Sequence, residues 1–245
     1  MLNIKNNAFI IADAHYDNTR TDFCDFLEYI KSQKPSQVIL LGDIFSILIG
    51  GIKNSIEDNK EIIKKIDDLG LETEIVYFEG NHDFNLDNIF KNVKIIKNQP
   101  IITNFYGKNI AISHGDIFLP FFTKIALKTL RFKSTIMLLN CLNLIFFNLI
   151  YKKICNQQKL KKIYKKLNNF DEIVKKRINN YKTYFLKKSL NIDYIIEGHF
   201  HQGYKKNYNN IEYINLEAFA NDRSFFILEY DENIKIKKVK LPRKE

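Results

Sequence analysis

Cysteine is scarce in this chain and tryptophan is absent. Cys24, Cys141 and Cys155 are scattered, with no C-x-x-C spacing. An odd, sparse count of this kind excludes a disulfide scaffold and a thiolate metal site, and it makes a reducing cytoplasm the default compartment. The beginning of the chain lacks the charged-then-apolar layout of a secretory signal, and its first apolar run, Phe9-Ile10-Ile11-Ala12, reads as a buried strand. A long apolar run is missing too. The most apolar stretch, Ile136 to Ile150, contains three asparagines and falls short of the roughly 20 residues a membrane-spanning helix needs. It is expected to be a buried helix, a lid over an apolar ligand, or an interfacial helix.

Acidic residues are missing from one region. Residues 120–190 hold 17 of the 38 Lys and Arg but only two of the 28 acids, Asp171 and Glu172. That block carries +15 and leaves −5 on the rest, although the net charge is +10. A basic block on an acidic chassis points to a polyanionic partner: nucleic acid, anionic lipid or a phosphorylated ligand. A solvated lysine-rich helical face is the plainer alternative.

What remains is an ordinary globular composition, 45% apolar and 27% charged over 245 residues, enough for one domain with a sizeable core. The Ile/Asn/Lys bias carries no functional information. The first half alternates in the α/β manner. Strands are expected at 8–12, 38–41 and 74–78, and a helix over 21–33 with Thr21 as its cap. A second helix is expected over 55–69, closed by Gly70. Shorter strands follow near 93–96, 101–105 and 109–113, with Gly107 in the last turn. Residues 118–189 read as helical throughout, and strands resume at 194–196, 211–216, 225–230 and 234–240. The helical block is therefore expected to be an insertion within a single domain spanning 1–245.

Five short motifs stand in order: Asp13-Ala14-His15, Gly42-Asp43, Gly80-Asn81-His82-Asp83, His114-Gly115-Asp116 and Gly198-His199-Phe200-His201. They contain all five histidines, and each follows an apolar strand-like run directly or almost so. In α/β sheets, ligands bind at the carboxyl ends of strands. One structural histidine would be unremarkable; five of five in such places are expected to converge. Asp and His together suit Mn, Fe or Zn. Asp43 has two oxygens and can bridge two ions, Asn81 offers a neutral carbonyl oxygen, and a two-metal site can activate water and clamp a phosphoryl oxygen. Gly42, Gly80 and Gly198 beside the ligands suggest tight turns.

The ordered set resembles the calcineurin-like metallophosphoesterase family over residues 8 to about 216. The resemblance implies an α/β (α+β) fold: a two-sheet β-sandwich flanked by helices, here with the helical insertion over 118–189 as a cap. It implies two divalent ions, Mn²⁺ first, with Asp13, His15, Asp43 and His201 on one and Asp43, Asn81, His114 and His199 on the other. His82 would stand over the phosphate, oriented by Asp83, and Asp116 would support its loop.

Within the family, the basic, apolar insertion and the stretch Gly42–Phe45 are similar to the UDP-2,3-diacylglucosamine pyrophosphatases of lipid A biosynthesis. That similarity implies an acylated sugar-nucleotide substrate and Lys124, Lys128, Arg131 and Lys133 as contacts to substrate or an anionic membrane. It also implies a peripheral place on the inner face of the cytoplasmic membrane. Two positions depart from that subfamily: His82 where Arg commonly follows the Asn, and Asn215–Phe219 where Gly and Trp are usual. A nucleotide, nucleic-acid or phosphoprotein phosphoesterase is the alternative, with Tyr164, Tyr181 and Tyr184 the available stacking residues. A non-catalytic metal-binding scaffold is the third reading, and it predicts lost ligands, whereas every motif position is filled.

Overall fold

The computed structural model describes residues 2–243. Along the chain run β1 (Ala8–Ile11), α1 (Asp22–Gln33), β2 (Gln37–Leu40), β3 (Leu48–Ile49), α2 (Lys53–Leu69), β4 (Glu74–Phe78), β5 (Asp83–Phe84), β6 (Val93–Ile96), β7 (Ile101–Phe105) and β8 (Lys108–Ser113). Four helices follow: α3 (Phe121–Leu130), α4 (Lys133–Ile145), α5 (Leu149–Leu160) and α6 (Phe170–Leu186). The chain then returns to β9 (Tyr194–Glu197), β10 (Tyr204–Tyr208), β11 (Ile211–Asn215), α7 (Phe219–Asp222), β12 (Ser224–Asp231) and β13 (Asn233–Lys240).

Two sheets form the centre. The first has the order β13-β12-β1-β2-β4-β6, with β1, β2, β4 and β6 parallel; the second has the order β10-β11-β9-β8-β7. Successive side chains in a strand point to opposite faces, so these apolar strands bury both sides. Ile10, Ile39, Val76 and Phe78 of the first sheet meet Ile110, Ile112, Ile196 and Ile214 of the second. The other face of the first sheet, with Phe9, Ile11, Val38 and Tyr77, packs on Phe23, Phe26 and Ile30 of α1 and Ile62 and Ile66 of α2. The result is the two-sheet sandwich flanked by helices that the sequence resemblance implies.

The helical block is not uniform, and this corrects its reading as one cap. Phe170, Val174, Ile178, Tyr181 and Phe185 of α6 pack on Ala111, Ile195 and Tyr213, so α6 is the outer layer of the second sheet. Only α3–α5 stand off the sandwich. Among their residues just Ile136 and Asn143 are buried, and Ile136 anchors α4 against Ile52 and Phe84. The apolar run is not a buried helix: it bends by 103° between α4 and α5, and no single described helix is long and apolar enough to cross a membrane. Two local expectations also change. Thr21 precedes α1 without a side-chain capping bond. Gly70 ends α2 in right-handed backbone, and its lack of a side chain leaves room for the Asn92 carbonyl, which a Cβ would approach to 2.4 Å.

Candidate metal centre

Each motif sits where a strand has just ended, and the backbones of neighbouring motifs are laced together. Asp13 N donates to Gly42 O (3.1 Å), His15 N to Asp43 O (3.0 Å) and Gly198 N to His114 O (2.8 Å). Side chains continue the lacing: Asp13 Oδ2 accepts from His199 N (3.0 Å) and Asp43 Oδ1 from His82 N (2.8 Å). The structure therefore brings motifs up to 186 residues apart to one place.

Three ligand clusters overlap there, with ligand atoms of each within 4.8 Å: Asp13, His15 and His201; His15, Asp43 and His82; Asp43, His114 and His199. Asp43 and His15 each belong to two. His201 Nε2 faces Asp13 Oδ1 at 3.0 Å and His114 Nε2 faces Asp43 Oδ2 at 3.4 Å. Asp13 Oδ1, His15 Nε2, Asn81 Oδ1 and His114 Nε2 are buried with no hydrogen-bond partner. Buried polar atoms without partners are costly, and oxygen and imidazole donors of these kinds fit divalent cations. Asn81 is a candidate ligand through its own orphaned oxygen.

The backbone is strained to achieve this. Asp13, His15, Asp43, His199 and His201 all have positive φ, between 44° and 63°, where non-glycine residues are uncommon and cost on the order of 1 kcal/mol or more each. Gly42 shares that conformation, with φ of +79°. Gly80 and Gly198 do not, which corrects the turn argument for them. They make room for ligands: a Cβ on Gly80 would lie 2.2 Å from Asp43 Oδ1, and one on Gly198 2.6 Å from Asp13 Oδ2. Gly80→Ala is expected to destabilise the protein by about 1–3 kcal/mol, the usual cost of overpacking, and to lower metal affinity. Chemical denaturation and a metal titration check both.

Three imidazoles are oriented by main-chain carbonyls, which accept from Nδ1–H and leave Nε2 for other partners. His114 uses Leu41 O (2.9 Å), His82 uses Ser46 O (2.8 Å) and His201 uses Ile163 O (2.7 Å). Such partners select the tautomer of a metal-binding histidine. Burial holds His15 and His199 down to about 3, so both rings are neutral, the form a metal requires. Burial opposes a proton on His114 as well, but Asp43 and Asp13 outweigh it and raise its pKa well above the ordinary value.

Asp83 does not orient His82; Ser46 O does. Asp83 instead accepts from Asp43 N (2.9 Å), Gly80 N (2.9 Å), Ile44 N (2.6 Å) and Tyr77 Oη (2.6 Å), so it shapes the loop that carries Asp43. Burial, then the neighbouring Asp43 charge, push its pKa to about 7. Arg131 is not a free contact for substrate or membrane either: it donates to Glu79 Oε2 (3.0 Å) and Gly80 O (2.9 Å) and stands 3.5 Å from Asp116, which it holds in place. Lys124, Lys128 and Lys133 are exposed. Lys124 and Lys128 line a depression that reaches Asp116.

Sequence reasoning missed Ser46, Glu79, Glu197, Arg177 and Lys161. Glu197 and Arg177 are buried together beneath the fifth motif. Lys161 Nζ lies 3.4 Å from His82 Nε2. The available signal for Arg177 and Arg131 was their type: they are the only arginines among the 17 cations of the basic block, and arginine is the cation suited to buried pairing.

A helix-flanked double sheet with convergent Asp, Asn and His donors at its strand ends defines a metallohydrolase scaffold. The profile described as calcineurin-like phosphoesterase matches residues 8–203, and the chain belongs to that family, whose members use divalent metals. Two curated relatives are UDP-2,3-diacylglucosamine hydrolases of Histophilus somni. The strain 2336 protein is 31% identical over 115 residues, 44% of this chain and 48% of that protein. The strain 129Pt protein is 30% identical over the same shares. The chain thus spans about half the length of the curated relatives it matches. Among solved structures, an archaeal phosphodiesterase covers 96% of this chain and 99% of its own, at 15% identity and a TM-score of 0.49. The E. coli phosphoesterase YfcE covers 95% and 98%, at 15% identity and 0.47.

Proposed function

We propose that this protein hydrolyses the pyrophosphate of an acylated sugar nucleotide of the UDP-2,3-diacylglucosamine kind, releasing UMP and the acylated sugar 1-phosphate, at an anionic membrane surface. The observation that carries this reading is the composition of the cap. It leads directly into Lys161, which stands beside His82, and it leaves large apolar side chains uncovered: Phe121, Phe122, Met137, Leu138, Leu144, Ile145, Phe147 and Leu149 are 59–84% exposed. A phosphate and an acyl chain on one substrate need those two surfaces near one another. The similarity to the Histophilus somni hydrolases supports the same substrate class.

Two divalent ions, when bound, activate a water and polarise the phosphoryl oxygens. Asp13, His15, Asp43 and His201 would hold one, and Asp43, Asn81, His114 and His199 the other. The mixed oxygen and imidazole set suits Mn²⁺, with Fe or Zn as alternatives. The remaining work belongs to the protein. His82, tied through Nδ1–H to Ser46 O, turns Nε2 to the side of Lys161, where it would meet the leaving oxygen. Lys161 offers positive charge on the same side. Arg131 and Asp116 keep the Gly80 and His114 loops in register.

His82→Ala is expected to retain both ions and lose about 10²-fold in kcat, the low end for a positioned proton donor, because Lys161 still meets the developing charge. Metal analysis with steady-state kinetics tests it; loss of an ion would make His82 a ligand.

The substrate reading is tested by comparing the diacylated sugar nucleotide with its deacylated analogue. Each buried CH₂ contributes about 0.8 kcal/mol, so the acylated compound should be hydrolysed far faster. The protein should also bind anionic vesicles at low salt and leave them at high salt, since each surface cation contributes about 1 kcal/mol. Equal rates and no vesicle binding would remove the lipid assignment and leave the phosphoesterase. A nucleic-acid substrate is disfavoured: Tyr181, one of three aromatics available for stacking, is buried against Ser113 and Glu197.

A further inference from the structure

Between α5 and α6 the chain crosses the metal centre as a strap, residues 161–169. Ile163 O accepts the Nδ1–H of His201 at 2.7 Å, and that bond turns His201 Nε2 toward Asp13 Oδ1. The strap is itself held by Gln202, the residue after His201. Gln202 Oε1 accepts from Leu167 N (3.0 Å), and its Nε2 donates to Lys165 O (3.0 Å). On the sheet side Gln202 N donates to Asn215 Oδ1 (2.8 Å), and Asn215 Nδ2 donates to Glu197 O (3.1 Å) and Gly198 O (2.5 Å). Asn215 is 1% exposed. Gln202 thus stands between a rigid strand end and the strap. Lys165 lies only two residues from Ile163, so pinning its carbonyl confines the Ile163 carbonyl to a few ångströms, about 3.5 Å of reach per residue.

We propose that Gln202 is a positioning residue for the Asp13–His15–His201 metal position. Through it, loading of that position and docking of the strap are one coupled event. The inference rests on the metal-centre reading above. Free in solution, the strap would leave the Nδ1–H of His201 without its carbonyl, and the ring could turn from Asp13. Linkage is reciprocal: what the strap adds to metal affinity, the metal adds to strap docking. The cap, whose α5 leads directly into the strap, is steadied by the same ion. Loss of a hydrogen-bond partner behind a metal-binding histidine lowers metal affinity about 10–100-fold. The position held by His114 and His199 uses Leu41 O instead and lies outside this coupling.

The test uses the full chain freed of metal and titrated with Mn²⁺, as wild type, Gln202→Leu and Leu167→Pro. Leu167→Pro removes the strap's N–H while leaving Gln202 in place, so it carries the test if Gln202→Leu fails to fold. Electron paramagnetic resonance and calorimetry count the sites and their affinities. Trypsin reads the strap at Lys161, Lys162, Lys165 and Lys166. The expected result is two ions in wild type, one site weakened about 10-fold or more in each variant, and Mn²⁺ protection of the strap in wild type alone. Two unweakened sites in both variants, with the strap cut at the same rate with and without Mn²⁺, would overturn the proposal and leave the metal centre standing. A wild type that binds no Mn²⁺, Fe²⁺ or Zn²⁺ would overturn the metal centre and this proposal together.

Discussion

Asp43→Ala is expected to lower kcat by at least about 10³-fold and to leave fewer than two ions per chain. Asp43 lies in two of the three ligand clusters, and its two oxygens face two different motifs. Oδ1 takes the His82 N–H at 2.8 Å, and Oδ2 stands 3.4 Å from His114 Nε2. It also carries the charge that raises the pKa of His114 well above the ordinary value. A metal centre supplies several kcal/mol of transition-state stabilisation, and three decades correspond to about 4 kcal/mol. The substitution removes a ligand common to both proposed ions and the anchor of the His82 main chain. Asp43→Asn, which keeps shape and one carbonyl oxygen, should fall between. Elemental analysis and steady-state kinetics on the same preparations decide the matter; near wild-type turnover with two ions retained would refute the bridging role.

Arg177→Leu should cost about 3–5 kcal/mol of stability, the usual penalty for leaving one member of a buried ion pair behind. Glu197 is fully buried. It accepts from Arg177 Nε (2.5 Å) and Nη2 (2.6 Å), from Tyr181 Oη (2.9 Å) and from Tyr213 Oη. Arg177 further donates to Ile117 O and Gly115 O, each at 3.0 Å. That one side chain joins α6, the end of β9 and the His114 loop. At about 2–4 °C per kcal/mol for a protein of this size, Tm should fall by roughly 10 °C or more. Adding Glu197→Gln, which removes the stranded charge, should restore part of the loss. An unchanged Tm in Arg177→Leu would mean that solvent reaches Glu197 and that the pair does not knit the site.

Arginine and lysine divide the electrostatic work in a way the charge count hides. The sequence reading treated all 17 cations of the basic block as one surface. In the fold, Arg131 and Arg177 are turned inward to Glu79 and Glu197, and the lysines remain largely exposed. The same division holds elsewhere: Arg20 pairs with Asp17, and Arg223 with Asp22 and Asp25. A planar guanidinium with five donors can satisfy a buried carboxylate and nearby carbonyls together, which an ammonium cannot. The field that the block presents to a polyanion is therefore that of its lysines.

The apolar run from Ile136 to Ile150 shows where pattern reading stops. Its composition fitted a buried helix as well as a lid or an interfacial element. Position decided: the run is broken by left-handed backbone at Phe147 and Asn148 and held off the sandwich, with Ile136 as its anchor. Residues of α6, equally helical in pattern, went to the opposite fate because Ala111, Ile195 and Tyr213 of the second sheet needed a cover.

By itself, then, the sequence determined the longer buried strands but not β3, β5 or the exposed β10, together with the two main helices of the first sheet and the five polar clusters at strand ends. These are local properties, written in runs of apolar residues and in what directly follows them. The sequence carried Asp13, His15, Asp43, Asn81, His114, His199 and His201 as a group because each follows a strand that must be buried. Only the tertiary structure decided how those side chains are aimed. Left-handed backbone at five of them, carbonyls from Leu41, Ser46 and Ile163 behind three imidazoles, and Asp83 beneath Asp43 rather than beside His82 all arise from contacts across the chain. The physical reason is that a hydrogen bond between residues as far apart as 41 and 114 has no local signature. It exists only once the two sheets have packed and every buried donor and acceptor must find a partner or a cation.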